Sequence, residues 1–348
     1  MTKKICISGY YGFDNFGDET ILKVLVENLK KFECNPEITV FSSNPNKTAT
    51  SLNVKSVRSF DILGVIKSLL KTDYLISGGG SLLQDVTSKK SLIYYLGVLF
   101  LAQLFLKKTI IFAQGIGPIK DKKLEKLTAF ILKRAELITV RDDNSLNLLN
   151  SYGINSNVIK CNDPVWNINV EQKNNTNKIG VQLRTFTTLT DEFISELAKN
   201  INKYYSDKEI NILSLQNHLD LEPCNKLKEE LLKINKNINV KVIENTSNDK
   251  IIEDISNLET LIAMRFHACL IAIKAGVKTI PINYDIKVET LAKEFNLDLI
   301  EMNNFKTIFS SIENSKIFNS KKVKEKEFDF KLLEQVIEAG IYIYPCYD

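Results

Sequence analysis

The stretch KICISGYYGFDNFGDE, residues 4–19, carries the pattern that decides the fold. Lys4–Ser8 reads as a strand, the loop after it holds Gly9, Gly12 and Gly17, and a helix over residues 18–32 opens on Asp18-Glu19. Strand, glycine-bearing loop and helix are the repeating unit of a parallel, doubly wound α/β sheet. The loop lacks the Lys-Ser/Thr ending of a Walker A motif and is not GxGxxG. Its glycines allow close approach of backbone to ligand, and the helix N-terminus favours an anion. The aromatics Tyr10, Tyr11, Phe13 and Phe16 suggest a surface that stacks on a ligand such as a sugar. Helix capping by Asp18 and Glu19 is the structural alternative.

The same alternation runs outward along the chain. Strands are expected near residues 37–41, 74–77, 109–113 and 137–140, with helices near 92–106, 122–134 and 144–151. A polar Asn/Lys/Gln-rich stretch at 168–177 reads as a linker. The pattern resumes with strands at 178–183, 209–215, 239–243, 258–263 and 279–282 and helices at 191–205 and 222–234. The expected fold is α/β with two Rossmann-like domains, residues 1–167 and 178–320. A tail, 321–348, carries an amphipathic helix near 331–339, of a kind that often packs back on the first domain. A cleft between two such halves, at the strand carboxyl ends, is the default ligand site.

Composition narrows the classes. With 348 residues, 44% hydrophobic and 25% charged, the chain suits a two-domain globular protein. A net charge of +4 is too small to argue for nucleic acid, yet it is compatible with a local anion site. The six cysteines form no CxxC pair and no zinc spacing, so they read as reduced, buried hydrophobes of a cytoplasmic protein. Met1-Thr2-Lys3-Lys4 gives no signal-peptide pattern, and the sequon match at 174–176 then has no meaning.

Further loops at strand ends carry chemistry. Ser77-Gly78-Gly79-Gly80-Ser81 suits a backbone-amide nest for an anion or a close domain approach, with a flexible turn as the alternative. Lys89-Lys90 could bring cations to the same mouth. Gln114-Gly115-Ile116-Gly117-Pro118 follows a strand, as does Arg141-Asp142, where Arg141 could clamp a phosphate or carboxylate or could pair with Asp142 or Asp143. Asp163-Pro164-Val165-Trp166 ends the first half with the single Trp. In the second half, Met264-Arg265-Phe266-His267 holds one of only two histidines, and Tyr284-Asp285-Ile286-Lys287 follows the next strand. Arg and Lys beside a titratable His suggest an anionic substrate and proton transfer. A structural His with a surface Arg is the alternative.

Taken in order, SGYYGFDNFGDE, ISGGGSLLQD, GIGP, VRD, DPVW, MRFHA and YDIKV resemble the polysaccharide pyruvyltransferase family over roughly residues 4–295. The resemblance is nearest to the branch of cell-wall polymer synthesis often called CsaB. It implies a GT-B-like fold and phosphoenolpyruvate as donor, with no metal and no nucleotide cofactor. The product would be a cyclic pyruvate ketal on a sugar of a cell-wall or exopolysaccharide precursor. By the same resemblance, His267 and Asp18 take the catalytic roles. Arg141, Arg265 and Lys287, with Gly79 and Gly80, hold the donor, and Tyr11, Phe16 and Arg58 meet the acceptor. Phe266 stands where many relatives have Leu, and Ile286 where they often have Pro. A nucleotide-sugar glycosyltransferase on the same fold is the alternative, and a non-catalytic glycan-binding protein a further one.

The acceptor in this branch is expected to be lipid-linked, which places the work at the inner face of the membrane. Residues 92–106 are almost wholly apolar between lysine pairs. They are too few to span a bilayer, and a helix apolar all round is expected to be buried. The segment therefore reads as a core helix, with any peripheral membrane contact weak and made elsewhere.

Overall fold

In the computed structural model, residues 2–170, 177–314, 323 and 325–339 are described. The sequon at 174–176, residues 321, 322 and 324 of the expected tail, and Cys346 lie outside them.

The chain begins β1 (Lys4–Ser8), α1 (Phe16–Leu29), β2 (Glu37–Ser42), α2 (Pro45–Leu52), β3 (Lys55–Arg58), α3 (Ile62–Lys71) and β4 (Tyr74–Ser77). It continues through β5 (Gly80–Leu83), α4 (Lys89–Leu104), β6 (Lys108–Ile116), α5 (Lys122–Leu132), β7 (Leu137–Val140), α6 (Asp143–Ser151) and β8 (Val158–Lys160). These strands form one parallel sheet in the order β3-β2-β1-β4-β6-β7-β8, with β5 paired to β6. β1 and β4 are buried almost throughout, as strands with both faces covered must be.

A second parallel sheet holds β9 (Lys178–Gln182), β10 (Glu209–Ser214), β11 (Val240–Glu244), β12 (Thr260–Ala263), β13 (Lys278–Asn283) and β14 (Ile300–Glu301). Between them run α7 (Asp191–Tyr205), α8 (Asn217–Ile234), α9 (Asn248–Ser256), α10 (Phe266–Lys274) and α11 (Ile286–Phe295), followed by α12 (Lys306–Asn314). The order β11-β10-β9-β12-β13-β14 is that of a Rossmann sheet, whose strand order reverses between β9 and β12. The corresponding reversal in the first sheet lies between β1 and β4.

The chain divides into a first unit, Met1–Asn167 with Glu327–Asp348, and a second unit, Ile168–Lys326. Within the first unit, α13 (Lys331–Ala339) buries Leu333, Val336 and Ile337. The Tyr74 hydroxyl donates to the Val336 carbonyl at 2.9 Å, and Phe328 and Phe330 pack on Phe112 of β6 at 5.0 and 5.8 Å between ring centres.

Two local departures from the expected elements have clear causes. α8 starts at Asn217 rather than at residue 222 and carries Pro223 inside it. Proline there cannot donate to the carbonyl four residues back; that carbonyl, on Leu219, is taken instead by the Thr185 N–H at 2.7 Å. α4 is also not the all-round core helix expected. Leu96 and Leu99 are buried, but Ile93, Phe100 and Leu104 are 52%, 43% and 60% exposed.

Candidate functional site

In the first unit, candidate residues follow the carboxyl ends of β1, β4 and β7. Asn15 caps α1 by accepting from the Gly17 N–H at 3.1 Å. Asp18 and Glu19 lie in the first turn. Glu19 reaches back, and its Oε1 accepts from the Gly12 N–H at 2.6 Å. Burial pushes the Glu19 carboxyl from the usual 4.5 to about 7, and the neighbouring Asp18 charge adds to the rise. Gly12 has φ +79, and Ser43 Oγ donates to its carbonyl at 2.5 Å. The loop is thus pinned on two sides.

The loop's aromatics divide differently from expectation. Tyr11 and Phe16 are 0% and 1% exposed, so neither offers a face to a sugar. Both pack beneath the loop. Tyr10 and Phe13 are the half-exposed pair, stacked at 4.3 Å with planes 7° apart. The glycine triplet belongs to the same packing. A Cβ on Gly78 would lie 1.8 Å from Tyr11 Oη, and one on Gly79 would lie 2.7 Å from Ile21 Cγ2. At Gly80, where φ is +102, a Cβ would meet Asp18 Oδ1 at 2.5 Å. The Gly78 N–H donates to the Ser8 carbonyl at 2.7 Å, and Gln114 Nε2 donates to the Gly78 carbonyl at 2.7 Å. Gly79 thus lets Ile21 pack closely, and Gly80 admits the approach of Asp18.

Arg141 stands at the end of β7, with its Nη1 on Asp163 Oδ2 at 2.5 Å and its Nη2 on Ser81 Oγ at 3.4 Å. Its partner is neither Asp142 nor Asp143. Asp142 caps α6 through the Ser145 N–H at 2.8 Å, and Asp143 pairs with Lys160 at 2.6 Å. Asp163 in turn accepts from the Val165 N–H at 3.0 Å, which ties the DPVW turn to Arg141. Lys89 is held by Asp121 at 2.9 Å. Arg58 is exposed at the end of the edge strand β3, two strands from β1 and hence roughly 10 Å from its end.

In the second unit Arg265 and His267 follow β12, Lys287 follows its neighbour β13, and a residue that sequence reasoning missed, Arg184, follows its other neighbour β9. Arg265 is nearly buried beside the fully buried Asp220. Its Nε donates to Asp220 Oδ2 at 2.9 Å and its Nη2 to Oδ1 at 2.6 Å, while Nη2 also reaches Gln216 Oε1 at 3.1 Å. A guanidinium so engaged is first an anchor and only partly available to a ligand. Arg141 and Arg265 are thus alike in each being paired with a buried carboxylate.

Arg184 follows β9 by two residues, in a loop fixed by Thr185 on Leu219 and by the Arg184 N–H on Met264 Sδ at 3.3 Å. Among the described residues no carboxylate pairs with it, and its buried Nε has no hydrogen-bond partner. Its guanidinium lies 5.5 Å from the centre of the Tyr284 ring. Burial raises the Tyr284 phenol above its usual range, and the charges of Arg184 and Arg265 oppose that rise. The signal available in the sequence was position alone, an Arg just past the end of the first strand of the second half. His267 lies in the first turn of α10 beside Phe266, with ring centres 5.1 Å apart. Lys287 lies in the first turn of α11, which Asp285 caps through the Lys287 N–H at 2.9 Å.

Among the described residues, no group of three or more His, Cys, Asp and Glu side chains could hold a metal ion. The five described cysteines are free, and burial holds the thiols of Cys161, Cys224 and Cys269 up at about 12.

The fold is shared with solved GT-B-type enzymes at low identity. UDP-GlcNAc 2-epimerase from Methanocaldococcus jannaschii aligns with a TM-score of 0.65 at 15% identity, over 93% of this chain and 98% of its own. S. aureus MnaA, solved with UDP, gives 0.66 at 12%, over 99% of both chains. Acinetobacter baumannii MurG gives 0.54 at 13%, over 97% and 99%. These likenesses show a GT-B-like fold and no more. A search of curated proteins finds no match. The family model for polysaccharide pyruvyl transferase matches residues 15–286, which include Asp18, the glycine triplet, Arg141, Arg184, Arg265 and His267. The chain belongs to the polysaccharide pyruvyl transferase family and is a transferase enzyme.

Proposed function

We propose that the protein moves pyruvate from phosphoenolpyruvate to a sugar of a cell-wall or exopolysaccharide precursor, as the CsaB-like branch would. A sugar hydroxyl bonds to C2 of the enol phosphate and gives up its proton, while another proton goes to the C3 methylene, which becomes a methyl group. A second hydroxyl of the same sugar then displaces phosphate from C2, loses its proton and closes the cyclic ketal. The reaction needs an acid, a base and cations for the leaving phosphate.

The observation that carries this reading is the grouping of Arg184, Arg265 and His267 within four residues of the carboxyl ends of the paired strands β9 and β12, in a chain of this family. Arg184 supplies positive charge that no described carboxylate cancels. Arg265 adds a fixed donor, Lys287 a further cation, and His267 an imidazole of the kind that serves as acid or base. Arg141 is a more constrained donor contact, since it already holds Asp163. In the first unit, Asp18 and Glu19 are the candidate proton carriers on the acceptor side. A carboxyl near 7 suits that work at neutral pH. A lipid-linked acceptor and a cytoplasmic location belong to the same proposal.

The test is phosphate release from phosphoenolpyruvate with a panel of soluble and lipid-linked glycans, with products read by mass spectrometry. His267→Ala should abolish turnover in a protein that still melts cooperatively. Near-wild-type release by that variant removes His267 from the chemistry. Tight binding of a nucleoside diphosphate, with none of phosphoenolpyruvate, would favour a nucleotide-sugar enzyme instead.

A further inference from the structure

Ten of the fourteen strongly exposed large apolar side chains among the described residues fall in three stretches of the first unit, residues 60–71, 89–107 and 121–134. These stretches contain α3, α4 and α5, and α4 packs against both of the others. On α4 the outward positions are Ile93, Gly97, Phe100 and Leu104, spaced as one stripe down a helix. A Cβ added at Gly97 would meet nothing within 4 Å, so this stripe is open along its length. On α3, Ile62 and Leu63 start a similar face that ends at Leu70. On α5, Leu127 and Phe130 repeat it. The inner sides of these helices are also apolar and feed one core cluster. Two apolar sides on one helix explain why α4 shows no amphipathic period in the sequence.

The charge around this face is unbalanced. The three stretches hold ten Lys and Arg against three Asp and Glu, a net charge of +7 in a chain whose total is only +4. Lys67, Lys71, Lys90, Lys126 and Lys133 are all exposed there. Soluble proteins rarely leave a contiguous apolar patch of this kind without a use, and basic side chains around apolar ones fit an anionic bilayer surface. No helix among the described residues is long and apolar enough to cross a membrane, so the contact is one of lying on the surface.

We infer that the α3–α4–α5 face docks the protein on an anionic lipid surface, with Ile93, Phe100 and Leu104 entering the interface and the lysines meeting the headgroups. The inference rests on this face alone and is independent of the proposed reaction. Charge selects lipid over a second copy of the chain, because two faces of +7 repel each other.

The test is co-sedimentation of the full chain with vesicles of phosphatidylcholine alone or mixed with phosphatidylglycerol. Binding is expected only to the mixed vesicles and should weaken as salt rises. Phe100→Gln and Leu104→Gln should each weaken it about tenfold, since each removes a side chain from the interface. Both positions are exposed, so their melting temperatures should stay at the wild-type value. Lys67→Glu with Lys71→Glu should weaken binding without touching the apolar face. Equal binding of wild type and the Gln variants overturns the inference, as does a wild-type protein that ignores both vesicle types. Light scattering that shows a dimer broken by Phe100→Gln would overturn it in favour of a self-interface.

Discussion

The Arg265–Asp220 pair supports a quantitative expectation. Asp220 is fully buried, and its Oδ2 accepts from the Leu215 and Gln216 N–H groups at 3.0 Å and from Gln182 Nε2 at 3.2 Å, besides Arg265. Asp220→Ala removes all of these acceptors and leaves a nearly buried guanidinium without its counter-charge. Breaking a buried pair from one side costs about 3–5 kcal/mol. For a unit the size of Ile168–Lys326, each kcal/mol shifts the midpoint by roughly 2–4 °C. The expected fall in melting temperature is therefore roughly 6–20 °C. Asp220→Asn keeps the shape and one acceptor oxygen, so it should lose less. Arg265→Met combined with Asp220→Asn should cost less than the two single changes added together, because the orphaned charge is gone. Thermal and urea unfolding of the full chain measure all of these. If Asp220→Ala costs under about 1 kcal/mol, the pair is not the anchor described here.

Three shorter expectations follow from the first unit and its loop. Tyr11→Phe removes a fully buried hydroxyl that has no hydrogen-bond partner, so it should be neutral or stabilise by about 1 kcal/mol and leave acceptor KM unchanged; a large rise in KM would restore the sugar contact. Because the folded Glu19 pKa is raised, the native state holds its proton longer than the unfolded state does. Stability from this group is therefore complete below about 4.5 and is lost as pH rises through about 7, so Glu19→Gln should flatten the melting temperature between those limits; an unchanged slope would refute the shift. Gly78→Ala should be strongly destabilising, since its methyl group would overlap Tyr11 Oη, and Tyr11→Phe in the same chain should recover part of the loss in a thermal melt.

The repeated βα pattern was legible because most of its strands are short apolar runs followed by loop residues. Lys4–Ser8, Tyr74–Ser77, Leu137–Val140 and the helix Asp191–Tyr205 stand where the sequence places them. The region from α2 to α3 was not legible. Its helix PNKTATSL is polar, its strand KSVR is a half-exposed edge, and its second helix turns apolar residues outward. The glycine loop and the MRFH run were readable as places, because both follow buried strands. Partners were not readable: Asp163 lies 22 residues from Arg141, and Asp220 lies 45 from Arg265. Nor could two adjacent tyrosines reveal which faces inward. The path of the loop, set by Gly12 at positive φ and by Glu19, buries Tyr11 and leaves Tyr10 half exposed.

The return of the chain to the first unit has a consequence for how the protein is made. Phe112 waits on the sheet for Phe328 and Phe330, and Tyr74 waits for the Val336 carbonyl. On a ribosome these partners emerge only after the whole of Ile168–Lys326. The first unit begins synthesis first yet is completed last, while the second is one uninterrupted segment able to close while the other is still open. A nascent chain therefore carries an uncovered apolar face for most of its synthesis, the kind of surface that favours non-native contacts during that interval. Deletions from the carboxyl end should accordingly damage the first unit while sparing the intervening one.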